Sequence, residues 1–231
     1  MSNNVFYKII IPIIMCIAVQ GKLWSQDIAL VPRPLHYQNT SKETFKITSQ
    51  TSISVEDSEQ KAIAEYFSSL FTLPAGFTPS VVINKEADII FKTDKNIKPE
   101  SYSLQVKKEG ILIKASTLSG FFYAIQTLRL VLPAQIENRV IRQDIDWIIP
   151  AMEMTDGPRF PYRGLMLDVS RYFIPKEEVL KIIDCMALLK LNKLHLHLTD
   201  DNGWRIEIKK YPRLTEVASW RDSTQIGGYR G

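Results

Sequence analysis

Cysteine is nearly absent: the 231 residues contain two, Cys16 and Cys185. That excludes a disulfide framework, because loss of an N-terminal segment carrying Cys16 leaves Cys185 alone. Lying in a helix-patterned stretch, Cys185 is expected to be a small buried apolar residue rather than a nucleophile. Histidine is scarce too, three in all. His195 and His197 stand two apart, a spacing that permits metal ligation, but no third ligand follows at a recognisable distance, so neither a metal nor a cofactor is expected. Charge of one sign never accumulates. Lys and Arg number 29, Asp and Glu 25, and both kinds are scattered, so the net +4 forms no basic stripe and nucleic acid is not expected as a partner. Long apolar runs are missing as well. The most apolar stretch, Ile9 to Val19, is too short for a transmembrane span.

What is present is an ordinary globular balance, 45% hydrophobic against 23% charged, in a length that allows one large or two small domains. Lys8 followed by the apolar stretch has the pattern of a signal peptide, so residues 1–26 are expected to be a targeting segment and the chain to be exported, periplasmic or extracellular. Gly21 or Ser25 supplies a small residue for cleavage. Lipid anchoring through Cys16 is the alternative, disfavoured by bulky Met15 in front of it.

Residues 27–155 read as a small α+β layer. Leu30 to Pro34 is extended, since each proline pushes its predecessor away from helix. Phe45–Thr48, Ser52–Val55, Val81–Ile83 and Ile89–Phe91 have strand character, and Tyr102, Leu104 and Val106 alternate before a Lys108-Glu109-Gly110 turn into Ile111 and Ile113, a hairpin. Asp57 with Gln60 resembles a capping box, and Ile63, Tyr66, Phe67 and Leu70 then share a helical face ended by Pro74 and Gly76. Phe121, Ile125, Leu128 and Leu132 mark a second amphipathic helix, stopped by Pro133. The expected domain is an antiparallel or mixed sheet with two helices on one face. Its aromatics fall at core spacing, so its role is expected to be structural rather than carbohydrate capture.

Residues 156–231 open with a turn-rich joint, Asp156-Gly157-Pro158. Arg163 to Val169 and Leu194 to Leu198 are short apolar runs suited to parallel strands. Between them Pro175, Glu177 and Glu178 start a helix, and Val179, Ile183 and Met186 give it a face for the sheet. Parallel strands joined by a helix form a right-handed crossover, so Asp168 and the Asp200–Asp201 pair emerge at the same edge, the carboxyl ends of the strands. In α/β barrels that edge carries the chemistry.

The same residues carry a resemblance. Tyr162-Arg163-Gly164 with Leu167-Asp168-Val169-Ser170-Arg171, and Leu194-His195-Leu196-His197-Leu198-Thr199-Asp200-Asp201 closing on Gly203-Trp204-Arg205, resemble the opening of the catalytic barrel in family 20 of the glycoside hydrolases, the β-N-acetylhexosaminidases. Residues from about 28 to 150 resemble the α+β domain that precedes it. The resemblance implies a (β/α)8 barrel of which only the first β-α-β portion fits here: such a barrel takes roughly 250 residues, and about 70 follow residue 160. A truncated polypeptide is therefore expected. It further implies hydrolysis of terminal β-linked N-acetylglucosamine or N-acetylgalactosamine from glycans, with the substrate's 2-acetamido oxygen as nucleophile, an exception to the usual carboxylate pair. The family's adjacent Asp-Glu pair, which orients the acetamide and donates the proton, occurs nowhere in these residues, so no catalytic residue is assigned. A non-catalytic secreted sugar-binding or interaction module of the same fold is the alternative.

The remaining candidates bind rather than react. Arg163 has a planar donor fork suited to two adjacent sugar hydroxyls or to a carboxylate, and the resemblance implies the former, at the 3- and 4-hydroxyls. Asp200 is the second substrate candidate, able to hold a histidine, orient Arg163 or accept from a hydroxyl. Asp168, His197, Asp201 and Trp204 are expected to support the pocket. Within that group Asp168 and Arg171 are read as a structural ion pair closing the first loop, His195 and His197 as a hydrogen-bonded pair, and Trp204 as packing.

Overall fold

The computed structural model describes residues 29–201 and 203–222. The expected signal peptide, its cleavage residues and Cys16 lie outside them. A seven-stranded mixed sheet comes first, built from β1 (His36–Lys46), β2 (Ser52–Val55), β3 (Ser80–Ile83), β4 (Ile89–Thr93), β5 (Tyr102–Lys107), β6 (Gly110–Ala115) and β7 (Ile148–Asp156) in the order β1-β7-β5-β6-β4-β2-β3. One half is antiparallel, β1 with β7, β7 with β5, and β5 with β6. The other half is parallel, β6 with β4 and β4 with β2 and β3 beyond it. The expected hairpin is β5–β6, closed where Lys107 faces Gly110. Within the parallel half a helical segment carries the chain from β2 to β3, whereas β3 reaches β4 through residues 84–88 without one.

Helix α1 (Ser58–Ser69) starts where Asp57 accepts from the Gln60 N–H at 2.8 Å. The return bond of the capping box is displaced by one residue, from the Glu56 N–H to the Gln60 side chain at 3.0 Å. A single turn, α2 (Thr72–Ala75), follows, and helix α3 (Leu118–Val131) starts from the Thr117 side chain and stops before Pro133. Both long helices lie on one face of the sheet and touch each other. Alternation decides that face: Tyr102, Leu104, Val106, Ile111, Ile113, Ile89 and Phe91 point inward and are buried with Phe67, Phe121 and Ile125. Phe91 stacks on Phe121 with ring centroids 5.2 Å apart. Each such side chain contributes about 1.5–3 kcal/mol through burial, so this layer has a core of its own.

After the joint, β8 (Gly164–Asp168), helix α4 (Lys176–Leu188) and β9 (Lys193–His197) form a parallel β-α-β unit, with Leu165 opposite Leu194 and Asp168 opposite His197. One further turn, α5 (Arg213–Glu216), lies in the segment after β9. This unit is open. Leu165, Met166, Leu180, Ile183 and Leu196 are all exposed, and of the expected helix face only Met186 is buried. Cys185 is exposed on α4, contrary to expectation, because a two-stranded sheet covers too little of the helix to enclose both positions. No described helix is long and apolar enough to cross a membrane.

Candidate functional site at the carboxyl ends of two parallel strands

Parallel pairing in register puts the ends of β8 and β9 side by side. Asp168, the last residue of β8, turns the chain by accepting from the N–H groups of Ser170 at 3.0 Å and Arg171 at 2.9 Å. Its other oxygen lies 2.7 Å from Arg171 Nε, so the expected ion pair forms. Arg171 Nε also lies 3.1 Å from Asp200 Oδ2, and that oxygen is 2.9 Å from His197 Nε2. Asp168, Arg171, Asp200 and His197 are thus one connected cluster. Asp201 joins through its backbone, whose N–H donates to Asp200 at 2.9 Å.

The electrostatics favour ionised carboxylates. At Asp168 burial pushes the pKa up, but the Arg171 N–H and guanidinium outweigh it and hold it below the usual aspartate range. Asp200 is also held below that range, first by the Asp201 N–H and then by His197. The cation between them remains open: the Arg171 side chain is 62% exposed, against 23% for Asp168 and 27% for Asp200. Only its Nε is engaged, and among the described residues nothing accepts from its terminal nitrogens. A fork with free N–H groups, bordered by carboxylate acceptors, can take two neighbouring hydroxyls at once.

The loops around the cluster are tied down. Ser170, fully buried, donates to the Gly203 carbonyl at 3.0 Å. Gly203 has φ +68 and a Cβ there would collide with the Ser170 carbonyl oxygen, so the position needs glycine. Arg205 donates to the carbonyls of Val169 at 3.2 Å and Ser219 at 2.7 Å and lies over the Phe173 ring, while Arg221 donates to the Arg171 carbonyl. Trp204 is half-buried, its indole N–H bonded to the Ile206 carbonyl at 2.6 Å.

Arg163 is not at this edge. It precedes β8, so it sits at the amino end, and its donors are engaged: Nε to the Lys190 carbonyl at 2.8 Å, the terminal nitrogens to the Phe160 carbonyl at 2.9 Å, Glu100 at 3.0 Å and the Tyr123 hydroxyl at 3.0 Å. Asp200 accordingly orients Arg171, not Arg163. The expected assignment fails because strand direction separates a residue before the strand from one three positions after it, and only the latter reaches the carboxyl edge. Strand polarity is the signal in the sequence that separates the two arginines. The histidine pair fails as well: the His197 ring is bonded to Asp200, whereas the His195 side chain is exposed and makes no hydrogen bond to another described residue. No described group of three or more His, Cys, Asp or Glu residues could hold a metal.

Two family models match the sequence: glycosyl hydrolase family 20, domain 2, over residues 27–157, and the catalytic domain of the same family over residues 160–230. A beta-hexosaminidase from Porphyromonas gingivalis is 38% identical over 221 residues, which is 91% of this chain and 28% of that protein. Among solved structures, the Streptomyces plicatus N-acetyl-beta-hexosaminidase in complex with Thio-NAglucal superposes with a TM-score of 0.76 at 34% identity, covering 81% of this chain and 38% of that one. An exo beta-N-acetylglucosaminidase from Vibrio harveyi, in complex with N-acetylglucosamine, gives 0.72 at 34% identity over 82% and 28%. The chain therefore spans less than half the length of each of these relatives.

Proposed function

The chain belongs to glycosyl hydrolase family 20, and on that premise we propose that it supplies the first part of the sugar pocket of an exported β-N-acetylhexosaminidase acting on terminal, non-reducing β-linked N-acetylglucosamine or N-acetylgalactosamine. The observation that carries this reading is the open Arg171 guanidinium held between Asp168 and Asp200 at the carboxyl edge. Arg171 donates to adjacent hydroxyls of the terminal sugar and Asp200 accepts from one of them. Asp168 and His197 fix these two: Asp168 through Nε of Arg171, His197 through the Asp200 oxygen. Export is supported by Lys8 and the apolar stretch after it.

Bond cleavage needs more than this cluster. In the substrate-assisted route, the 2-acetamido oxygen attacks the anomeric carbon, an aspartate orients the acetamide and a glutamic acid protonates the leaving oxygen. The chain has no Asp-Glu dipeptide, so its part is to bind and orient the sugar. The test joins this chain to the remaining strands of a family 20 barrel. Release from a chromogenic β-N-acetylglucosaminide is compared with release from the β-glucoside, which lacks the acetamide. Hydrolysis of the first only is expected; equal rates would remove the substrate-assisted mechanism.

A further inference from the structure

The amino ends of β8 and β9 meet the seven-stranded domain through two ion pairs that the sugar-binding cluster does not use. Lys190, in the turn between α4 and β9, is buried, and its Nζ lies 2.7 Å from Asp156 at the end of β7 and 2.9 Å from the Tyr102 hydroxyl on β5. Both side chains of that pair are about nine-tenths enclosed. Asp156 also accepts from Tyr102 at 3.1 Å and from the Leu35 N–H at 3.2 Å, and Tyr102 meets Thr127 of α3 at 2.6 Å. The second pair is Arg163 with Glu100, to which Tyr123 of α3 and Asn192 also donate, at 3.0 and 3.3 Å. The two pairs are linked, since Arg163 donates to the Lys190 carbonyl.

Backbone geometry singles out the same residues. Three described non-glycine residues have positive φ, and two of them are Glu100, at 62, and Lys190, at 60. Such a conformation is unfavourable for a side chain with a Cβ and persists where surrounding contacts over-determine it. At Lys190 it ends helix α4, where the Leu191 N–H bonds the Met186 carbonyl at 2.9 Å, and at Glu100 it closes a turn in which the Ser101 N–H bonds the Lys98 carbonyl at 3.0 Å, so local backbone bonds fix the two residues whose side chains make the ion pairs. The strands they hold have little else on their outer faces, with Leu165, Met166 and Leu196 exposed.

We propose that the pairs Glu100–Arg163 and Asp156–Lys190 form a two-point latch by which the seven-stranded domain seats the β8–β9 pair from its amino end, and so positions the cluster at the opposite end. Arg163 and Asp168 flank one short strand, so a shift or tilt at the first displaces the second. The domain is then a positioning element for the pocket. The proposal does not depend on which sugar, if any, the cluster takes.

Amide hydrogen exchange of the 231-residue chain tests it. Arg163→Lys keeps the charge but loses the fork, and Lys190→Met leaves the Asp156 carboxylate in a buried site without its cation. Each is expected to raise exchange about tenfold or more across β8 and β9, through the amides of Asp168, Val169 and His197, while β5 and β6 keep their protection. Failure of the β8–β9 pair to fold while β5 and β6 stay protected is the same outcome in extreme form. The double variant Asp156→Asn with Lys190→Met removes both charges and is expected to recover most of the lost protection. Changes confined to the residues next to each substitution, or a double variant no better than Lys190→Met alone, would overturn the latch.

Discussion

The two ends of β8 each place an arginine among carboxylates, and they differ in what is left to donate. At the amino end the Arg163 side chain is 15% exposed and hydrogen-bonded at all three nitrogens. At the carboxyl end the Arg171 side chain is 62% exposed and engaged only through Nε. The first arginine joins two parts of a fold; the second leaves its terminal nitrogens open. Residue type and a neighbouring acid are the same in both cases, so function is decided by the count of unengaged donors and by which end of a parallel strand the residue occupies.

The largest expected effect tests whether the carboxyl end is sufficient by itself. The 231-residue chain is expected to release chromophore from a β-N-acetylglucosaminide at the background rate, because a general acid is worth about 10²- to 10⁴-fold in rate and none is placed here. Measurable turnover by the purified chain would mean that Arg171, Asp200 and His197 do chemistry as well as bind.

Next in size is the contrast between the closed layer and the open crossover. Phe121→Ala, which opens a cavity against Phe91, is expected to cost about 3–5 kcal/mol in urea unfolding. Met166 is 53% exposed, so Met166→Ala is expected to cost under about 0.5 kcal/mol, as surface changes do. Equal costs would show that the β8–β9 faces are covered in solution, with a second copy of the chain the first candidate to examine by size exclusion.

Arg171→Lys and Arg163→Lys separate the two ends directly in a protein carrying the full barrel. Losing the open fork is expected to lower kcat/KM by an amount equivalent to about 1.5–3 kcal/mol, the range for hydrogen bonds to charged groups. The change at Arg163 acts only through strand position and is expected to be smaller in kcat/KM, while showing more plainly in stability. A larger loss of kcat/KM from Arg163→Lys would reverse the assignment of the two arginines.

Much of this was legible in the sequence. The alternation Tyr102, Leu104, Val106, the Asp57 and Pro133 punctuation and the two short apolar runs mark elements that form where periodicity and backbone chemistry put them. Sheet order was not legible, since β1 pairs with β7 across a hundred residues and nothing local encodes that partner. In the site, Asp168, Asp200 and His197 were in view because they end strands. Arg171 was in view too, but as half of an ion pair, and an ion pair leaves open how many of an arginine's five donors it uses. Arg163 was misplaced since its partners, Glu100 and Tyr123, belong to a domain whose docking the sequence does not announce.

The smallest expected effect concerns acid. Hydrogen bonding from Arg163, opposed by burial and assisted by Tyr123 and Asn192, holds the Glu100 pKa below its ordinary 4.5. A carboxyl whose folded pKa is depressed stabilises the fold fully above the unfolded value, and that contribution is lost as pH falls through the folded one. The junction is therefore expected to keep its strength down to about pH 4.5 and weaken below it. Glu100→Gln keeps most of the hydrogen bonds without the titration. Between about pH 6 and about pH 3.5, a window that spans the ordinary glutamate range, protection at the amino ends of β8 and β9, measured relative to the intrinsic exchange rate at each pH, should fall in the unaltered chain and fall less in Glu100→Gln. Parallel slopes would assign the acid response to other carboxylates, with Asp168 and Asp200 at the far end of the strand the next to test, since their pKa values are depressed as well.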